Sequence, residues 1–210
     1  MYKIAIMTEQ LISKYNRPVP RYTSFPTIPE WNQTFVDWEK HISIQGQQDE
    51  AISLYLHLPY CRKRCWYCGC NSLIRTSSDG IEPYLDLIID EAKMIAQASE
   101  SKLRIKQLHL GGGTPNFLNN EQMTQLIKTL EKIFDFSPCV ERAIEIDPRL
   151  SNNEQLNQLK TLGFDRLSLG IQDFNPEVQV AINREQSYES IRDLTFHARS
   201  IGFSSINFDL

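Results

Sequence analysis

Four thiols within ten residues set the chemistry open to this chain. Cys61, Cys65 and Cys68 stand in C-x3-C-x2-C spacing inside Cys61-Arg62-Lys63-Arg64-Cys65-Trp66-Tyr67-Cys68-Gly69-Cys70, directly after an apolar run that reads as a strand. Three thiolates on so short a loop can hold three corners of an iron–sulfur cube, which ordinarily takes four cysteines. The remaining iron is then open to a small molecule, and an open metal position separates catalytic from structural sites. A zinc site on Cys61, Cys65, Cys68 and Cys70 is the structural alternative, although structural zinc usually draws on two C-x2-4-C arms set further apart. A disulfide scaffold fits poorly with five cysteines in 210 residues and with first residues that lack the apolar core of a secretory leader. Cys139 stands alone and reads as a small buried hydrophobe with no assigned role.

The second motif is Gly111-Gly112-Gly113-Thr114-Pro115. It is not a dinucleotide fingerprint, because position 116 is Asn116, nor a P-loop, which needs Lys-Ser/Thr after its last glycine. It offers backbone that a ligand can approach closely, with Thr114 and N–H groups as donors; a tight strand-to-helix turn is the alternative.

The elements that must position these motifs alternate from Ala51 onward. Strands are expected over 52–57, 105–110, 141–146, 166–169 and 205–210, with helices over 83–98, 120–134, 152–162 and 188–201. Such alternation implies right-handed crossovers and a parallel sheet, as either a barrel or an open doubly wound sheet. The expected strands end in polar groups: His57, then the glycine run with Thr114, then Glu145 and Asp147, then Gln172 and Asp173, then Asp209. Ligands of α/β folds sit at the carboxyl ends of strands, so these groups converge on one face. Asp147 and Asp173, beside turn-forming residues, read as caps of the following helices. Residues 1–50 read as an irregular extension broken by Pro18, Pro20, Pro26 and Pro29, with room for a short helix over 7–15.

Composition is that of an ordinary globular chain, with 41% hydrophobic and 23% charged residues. A net charge of -4 gives no general attraction to nucleic acid or to an acidic membrane surface. No apolar run approaches a bilayer crossing, so a soluble cytoplasmic enzyme without membrane insertion is expected. No repeat appears at a solenoid period.

The cysteine spacing resembles the signature of the radical S-adenosylmethionine enzymes, in which the amino and carboxylate groups of the cofactor chelate the iron that has no cysteine. Three further features stand in the order found in the oxygen-independent coproporphyrinogen III oxidases, a haem-biosynthesis family within that group. They are Lys14-Tyr15-Asn16-Arg17-Pro18-Val19-Pro20-Arg21-Tyr22-Thr23-Ser24-Phe25-Pro26, Tyr55-Leu56-His57-Leu58-Pro59-Tyr60-Cys61 leading into Tyr67-Cys68-Gly69-Cys70, and the glycine motif. The resemblance covers nearly the whole chain. It implies an α/β fold in which 51–210 form an incomplete parallel (β/α) barrel, truncated after about five strands, behind the extension of 1–50.

It also implies a 4Fe-4S cluster on Cys61, Cys65 and Cys68, and two molecules of S-adenosyl-L-methionine. Tyr55 and Glu145 are implied at the first, and Gly112 lies in the glycine motif that holds the methionine amino group. Tyr67, Gly113, Thr114, Gln172, Arg184 and Asp209 are implied at the second. His57, by its place beside the cysteine loop, is the candidate for proton transfer or substrate contact, with a structural hydrogen bond as the alternative. The implied activity is decarboxylation of two propionates of coproporphyrinogen III to vinyl groups by a 5'-deoxyadenosyl radical, giving protoporphyrinogen IX. An electron donor and a terminal electron acceptor are implied without being identified, and the full-length enzyme is expected to be a monomer. Arg17 and Arg21 could meet substrate propionates, or be solvated loop arginines.

Two other functions are weighed against this one. A haem-binding chaperone of the same superfamily typically lacks the cysteine at Cys70 and the Arg21-Tyr22-Thr23-Ser24 stretch, both present here. A zinc-stabilised α/β interaction domain would have no catalysis. The last expected strand has no later element to cover it, so the 210 residues are expected to be an N-terminal fragment unable to turn over substrate alone.

Overall fold

Alternation along each strand decides which face of the sheet is covered. In β1 (Ile52–Leu58) Leu56 and Leu58 are buried while Tyr55 is exposed. In β4 (Ile105–Gly112) Leu108 and Leu110 are buried and Gln107 is exposed. β5 (Glu141–Ile146) buries Ile144 and Ile146 on either side of Glu145, and β6 (Arg166–Gly170) buries Leu167 and Leu169 on either side of Ser168. A period of two sends these apolar side chains to one face and the polar ones to the other.

The apolar face is covered by helices that show the matching 3.6-residue stripe. Met123, Leu126, Ile127 and Leu130 are buried on α3 (Asn120–Ile133), Leu156 and Leu159 on α4 (Asn153–Thr161), and Ile191, Leu194 and Ala198 on α6 (Tyr188–Ser200). Together with Ala92 of α2 (Glu82–Gln97) they join the strand residues in one core. Each of the buried Leu, Ile and Met side chains contributes about 1.5–3 kcal/mol on full burial. Asn119 opens α3 with a reciprocal capping box to Gln122, and Asn152 and Ser187 cap α4 and α6.

With β7 (Ser205–Asp209) the main sheet runs β1-β4-β5-β6-β7, every neighbouring pair parallel. Each new strand is added on the same side of the last. A doubly wound sheet reverses direction at a switch point, whereas right-handed crossovers without reversal lay the helices on one face, as in a barrel wall. The question left open by periodicity is thus answered: this is an open sector of a (β/α) barrel, with β1 and β7 as its outer strands among the described residues. The inner face carries a polar ladder in which Ser53 Oγ donates to Gln107 Oε1 at 3.1 Å, and Asn207 Nδ2 to Ser168 Oγ at 3.2 Å.

The computed structural model describes Lys14, residues 37–47 and residues 50–210. Except for Lys14, the motif over 14–26 with Arg17 and Arg21 lies outside the described residues, as does the short helix expected over 7–15. A helix over Trp38–Gln47 (α1) falls within the stretch expected to be irregular. The pattern also gave no separate place to α5 (Pro176–Ala181), to the 3-10 turn Pro115–Phe117, or to the two-residue strands β2 (Tyr60–Cys61) and β3 (Leu73–Ile74). All are too short to show a period. Among the described residues no helix is long and apolar enough to cross a membrane.

Candidate functional site

The cysteine loop has no regular structure of its own, so it is fixed from outside. β2 and β3 pair in parallel at its base, where Leu73 N donates to Pro59 O at 2.6 Å and Arg75 N to Cys61 O at 2.9 Å. Beyond α5 the chain turns at Asn183, in the left-handed region with φ of 61°, and its Nδ2 donates to Arg64 O at 2.7 Å. Trp66 N donates to Ile182 O at 3.0 Å, while His57 Nε2 stands 3.1 Å from Asn71 O.

This loop forms one wall of a cavity of about 200 Å³ at the carboxyl ends of the strands. Cys61, Cys65, Cys68, Cys70 and Tyr67 line it from the loop. Gly112, Gly113 and Thr114 line it from the end of β4, Glu145 from β5, Gln172 and Arg184 from the segments after β6, and Asp209 from β7. The glycine turn is required by close approach: a Cβ on Gly113 would lie 2.7 Å from the Pro59 carbonyl, and Gly112 has φ of 119°. Gly113 N donates to Leu58 O at 2.9 Å, and Gly112 N to Glu145 Oε2 at 3.3 Å.

Asp147 was expected to act as a helix cap, and its surroundings differ. Asn152 caps α4 instead, whereas the Asp147 side chain is 7% exposed and paired with both Arg149 and Arg184. Burial would raise its carboxyl, but hydrogen bonds from Arg149 and the two guanidinium charges outweigh burial and hold it below the ordinary carboxylate value. Asn116, buried in the turn after the glycines, fixes the Asp147 backbone: Asp147 N donates to Asn116 Oδ1 at 2.8 Å, and Asn116 Nδ2 to Asp147 O at 3.1 Å. Arg149 lines the cavity too and was not singled out from the sequence. Asp173 does not cap a helix either: Asn175 caps α5, and Asp173 accepts from Asn175 N at 2.7 Å in the turn before it.

Tyr55 and His57 do not line this cavity. They stand beside it on the inner face, where a Cβ at Gly111 would meet Tyr55 Cε2 and Glu145 Oε1, each at 2.9 Å. Burial, and then the Glu145 charge, raise the Tyr55 phenol above its ordinary value. Both His57 nitrogens have partners, Nδ1 with Tyr55 Oη at 3.2 Å and Nε2 with Asn71 O. This geometry favours the structural alternative for His57 over proton transfer. His109, missed in the sequence, stacks on Tyr55 with ring centroids 5.7 Å apart and meets Glu145 Oε1 at 3.1 Å. Strand alternation was the signal that could have found it, since it places His109 on the face of Tyr55 and Glu145.

The donor set fits an iron–sulfur cluster. None of the thiols is in a disulfide; Cys61 Sγ lies 3.3 Å from Thr114 Oγ1 and Cys65 Sγ 3.4 Å from Arg184 Nη1. Thiols standing round a cavity can each take a different iron. Burial pushes the Cys61 thiol up, opposed by the Thr114 hydrogen bond. Burial also pushes the Tyr67 phenol up to about 12, the Arg184 charge opposing, so Tyr67 is a neutral hydroxyl at ordinary pH. Cys70 is exposed, and its N–H donates to Cys68 Sγ at 3.4 Å.

Comparison with known proteins agrees with this geometry. A family model described as the radical SAM superfamily matches residues 55–210. The oxygen-independent coproporphyrinogen III oxidase of Salmonella typhimurium is 42% identical over 200 residues, covering 95% of this chain and 44% of that protein. The protein of that name from Synechocystis is 37% identical over 203 residues, covering 96% and 44%. This chain therefore spans less than half the length of these relatives. The solved structure of coproporphyrinogen III oxidase from Escherichia coli, itself described as a radical SAM enzyme, superposes with a TM-score of 0.84 at 39% identity, over 98% of this chain and 46% of that one. On the match over 55–210, the chain belongs to the radical SAM superfamily.

Proposed function

We propose that these residues are the cluster- and S-adenosylmethionine-holding part of an oxygen-independent coproporphyrinogen III oxidase. The observation that carries this reading is the shared cavity of Cys61, Cys65 and Cys68 with the glycine turn, Glu145, Arg184 and Asp209. The superfamily implies a 4Fe-4S cluster and S-adenosylmethionine; a second S-adenosylmethionine belongs to the proposal. When bound, the cluster would supply one electron for reductive cleavage of S-adenosylmethionine, and hydrogen abstraction from a propionate β-carbon, with loss of carbon dioxide and of one electron to an acceptor, would leave the vinyl group.

The chain's own residues have simpler tasks. Cys61, Cys65 and Cys68 hold the cluster, and Cys70 stays outside the ligand set so that one iron remains open. Gly112 and Gly113 bring backbone close to the cofactor, with Thr114 as a neutral donor. Glu145 accepts hydrogen bonds from the first S-adenosylmethionine, and Tyr55 shields it. Tyr67, Gln172, Arg184 and Asp209 serve the second, where a guanidinium pairs with a carboxylate and a carboxylate accepts from hydroxyl groups. His57 positions Tyr55 and the loop. Residues 51–210 act as the barrel unit and 1–50 as the extension.

Anaerobic reconstitution with iron and sulfide tests the ligand set. About four of each per chain are expected in the parent and in Cys70→Ser, and a large loss in Cys65→Ser. Equal loss in both variants overturns the assignment. The substrate is tested by transfer of deuterium from propionate-labelled coproporphyrinogen III into 5'-deoxyadenosine; transfer supports this substrate and overturns the expectation that the 210 residues cannot turn it over alone, whereas cofactor cleavage without transfer is the result that expectation gives.

A further inference from the structure

Asp147, Arg149 and Arg184 place two positive charges and one negative beside a single thiol of the proposed ligand set. Arg149 Nε donates to Asp147 Oδ1 at 2.9 Å, and Arg184 Nη2 lies 3.4 Å from the same oxygen. Both guanidinium groups extend past the carboxylate to one sulfur, with Arg184 Nη1 3.4 Å and Arg149 Nη2 4.0 Å from Cys65 Sγ. The side chains are 17%, 7% and 9% exposed for Arg149, Asp147 and Arg184, so water screens these charges little. Asn116 locks the Asp147 backbone, which fixes the group before any ligand binds.

We propose that Arg149 and Asp147 set the reduction potential of the cluster on Cys61, Cys65 and Cys68, Arg149 raising it and Asp147 holding it down. The inference rests on those thiols holding a cluster. One-electron reduction takes the cube from 2+ to 1+, the electron coming from an added chemical reductant such as dithionite, with no proton or ligand exchanged. A nearby fixed cation favours the added electron and a nearby anion opposes it, and in a poorly solvated site neither effect is negligible. Hydrogen bonds to cluster sulfurs act in the same direction as the cation.

The test is a mediated potentiometric titration of the reconstituted 210-residue chain, read by electron paramagnetic resonance of the reduced cluster. Arg149→Gln is expected to lower the midpoint by the equivalent of at least a tenfold loss in the reduction equilibrium, about 59 mV for one electron. Asp147→Asn is expected to raise it, and Arg149→Lys, which keeps the charge, to stay close to the parent. A contribution that was only structural would not move the first two in opposite directions. If the parent takes up no iron and sulfide, the cluster reading itself fails. If full clusters form and the midpoints stay put or shift the same way, only the inference is overturned. Should Arg149→Gln lose its cluster, Asp147→Asn decides alone, and a midpoint that fails to rise overturns the proposal.

Discussion

Asp147 holds a negative charge where burial alone would neutralise it, because Arg149 and Arg184 outweigh the cost of desolvation. Its folded-state pKa is depressed, so its contribution to stability is complete well above the unfolded value of about 3.9 and is lost as pH falls through the lowered folded value. Thermal unfolding followed by circular dichroism between about pH 6 and about pH 3 should therefore show an acid loss that is shallower in Asp147→Asn, a variant already weakened at the upper pH. Equal steepness in both would show that Asp147 does not drive the acid loss. The sequence hid this group for a physical reason. Arg184 lies 37 residues further on, and nothing local to Asp147 announces a partner at that distance. The thiols were readable because all four lie on one short loop, and Glu145 and Asp209 because they close strands.

Backbone geometry around the cavity is under tension in two turns. Gln172 follows β6 with φ of 73°, a left-handed conformation that costs a side-chain-bearing residue about 1–2 kcal/mol. That conformation lets Ile171 N and Gln172 N both donate to Asp209 O, at 3.1 and 2.7 Å, which ties the turn to β7. Gln172→Gly should raise stability to thermal unfolding by up to about 1 kcal/mol while removing the amide from the cavity; a lower midpoint would show that the side chain supports the fold more than its backbone strains it. Gly113→Ala should act in the opposite direction. Its Cβ would meet backbone atoms of Pro59, which cannot swing aside as a side chain would, so a loss of about 1–3 kcal/mol is expected. A midpoint unchanged from the parent would mean that the loop base yields freely. The long elements were readable from periodicity to within a residue or two at most ends. The pair β2 and β3 was not, since two residues carry no alternation, and their pairing depends on where the loop between them folds.

Among the described residues β1 and β7 are the outer strands of the sheet, and β7 is the more exposed of the two. Most of its residues are exposed, including Phe208 at 39%. Unpaired strand edges of this kind template association with other chains. The 210-residue chain should show a concentration-dependent rise in mass by light scattering after gel filtration, reversed in Phe208→Lys, since an edge lysine opposes pairing. A constant monomer mass at every concentration would sink this expectation. Parallel pairing followed from the alternation of strands and helices, but strand order depends on contacts between distant segments, which is why the pattern alone did not separate barrel from doubly wound sheet and the barrel was expected only from the family resemblance. The distribution of the cavity wall has a further consequence, for chronology. Its thiols come from one stretch of chain, whereas Glu145, Asp147, Arg149, Arg184 and Asp209 arrive on strands and turns made later. Closing a loop of about ten residues costs little entropy, so metal capture can come before the sheet is assembled. The cluster would then be a seed on which the later strands condense, so that loading during synthesis and assembly of the cavity wall would be one process.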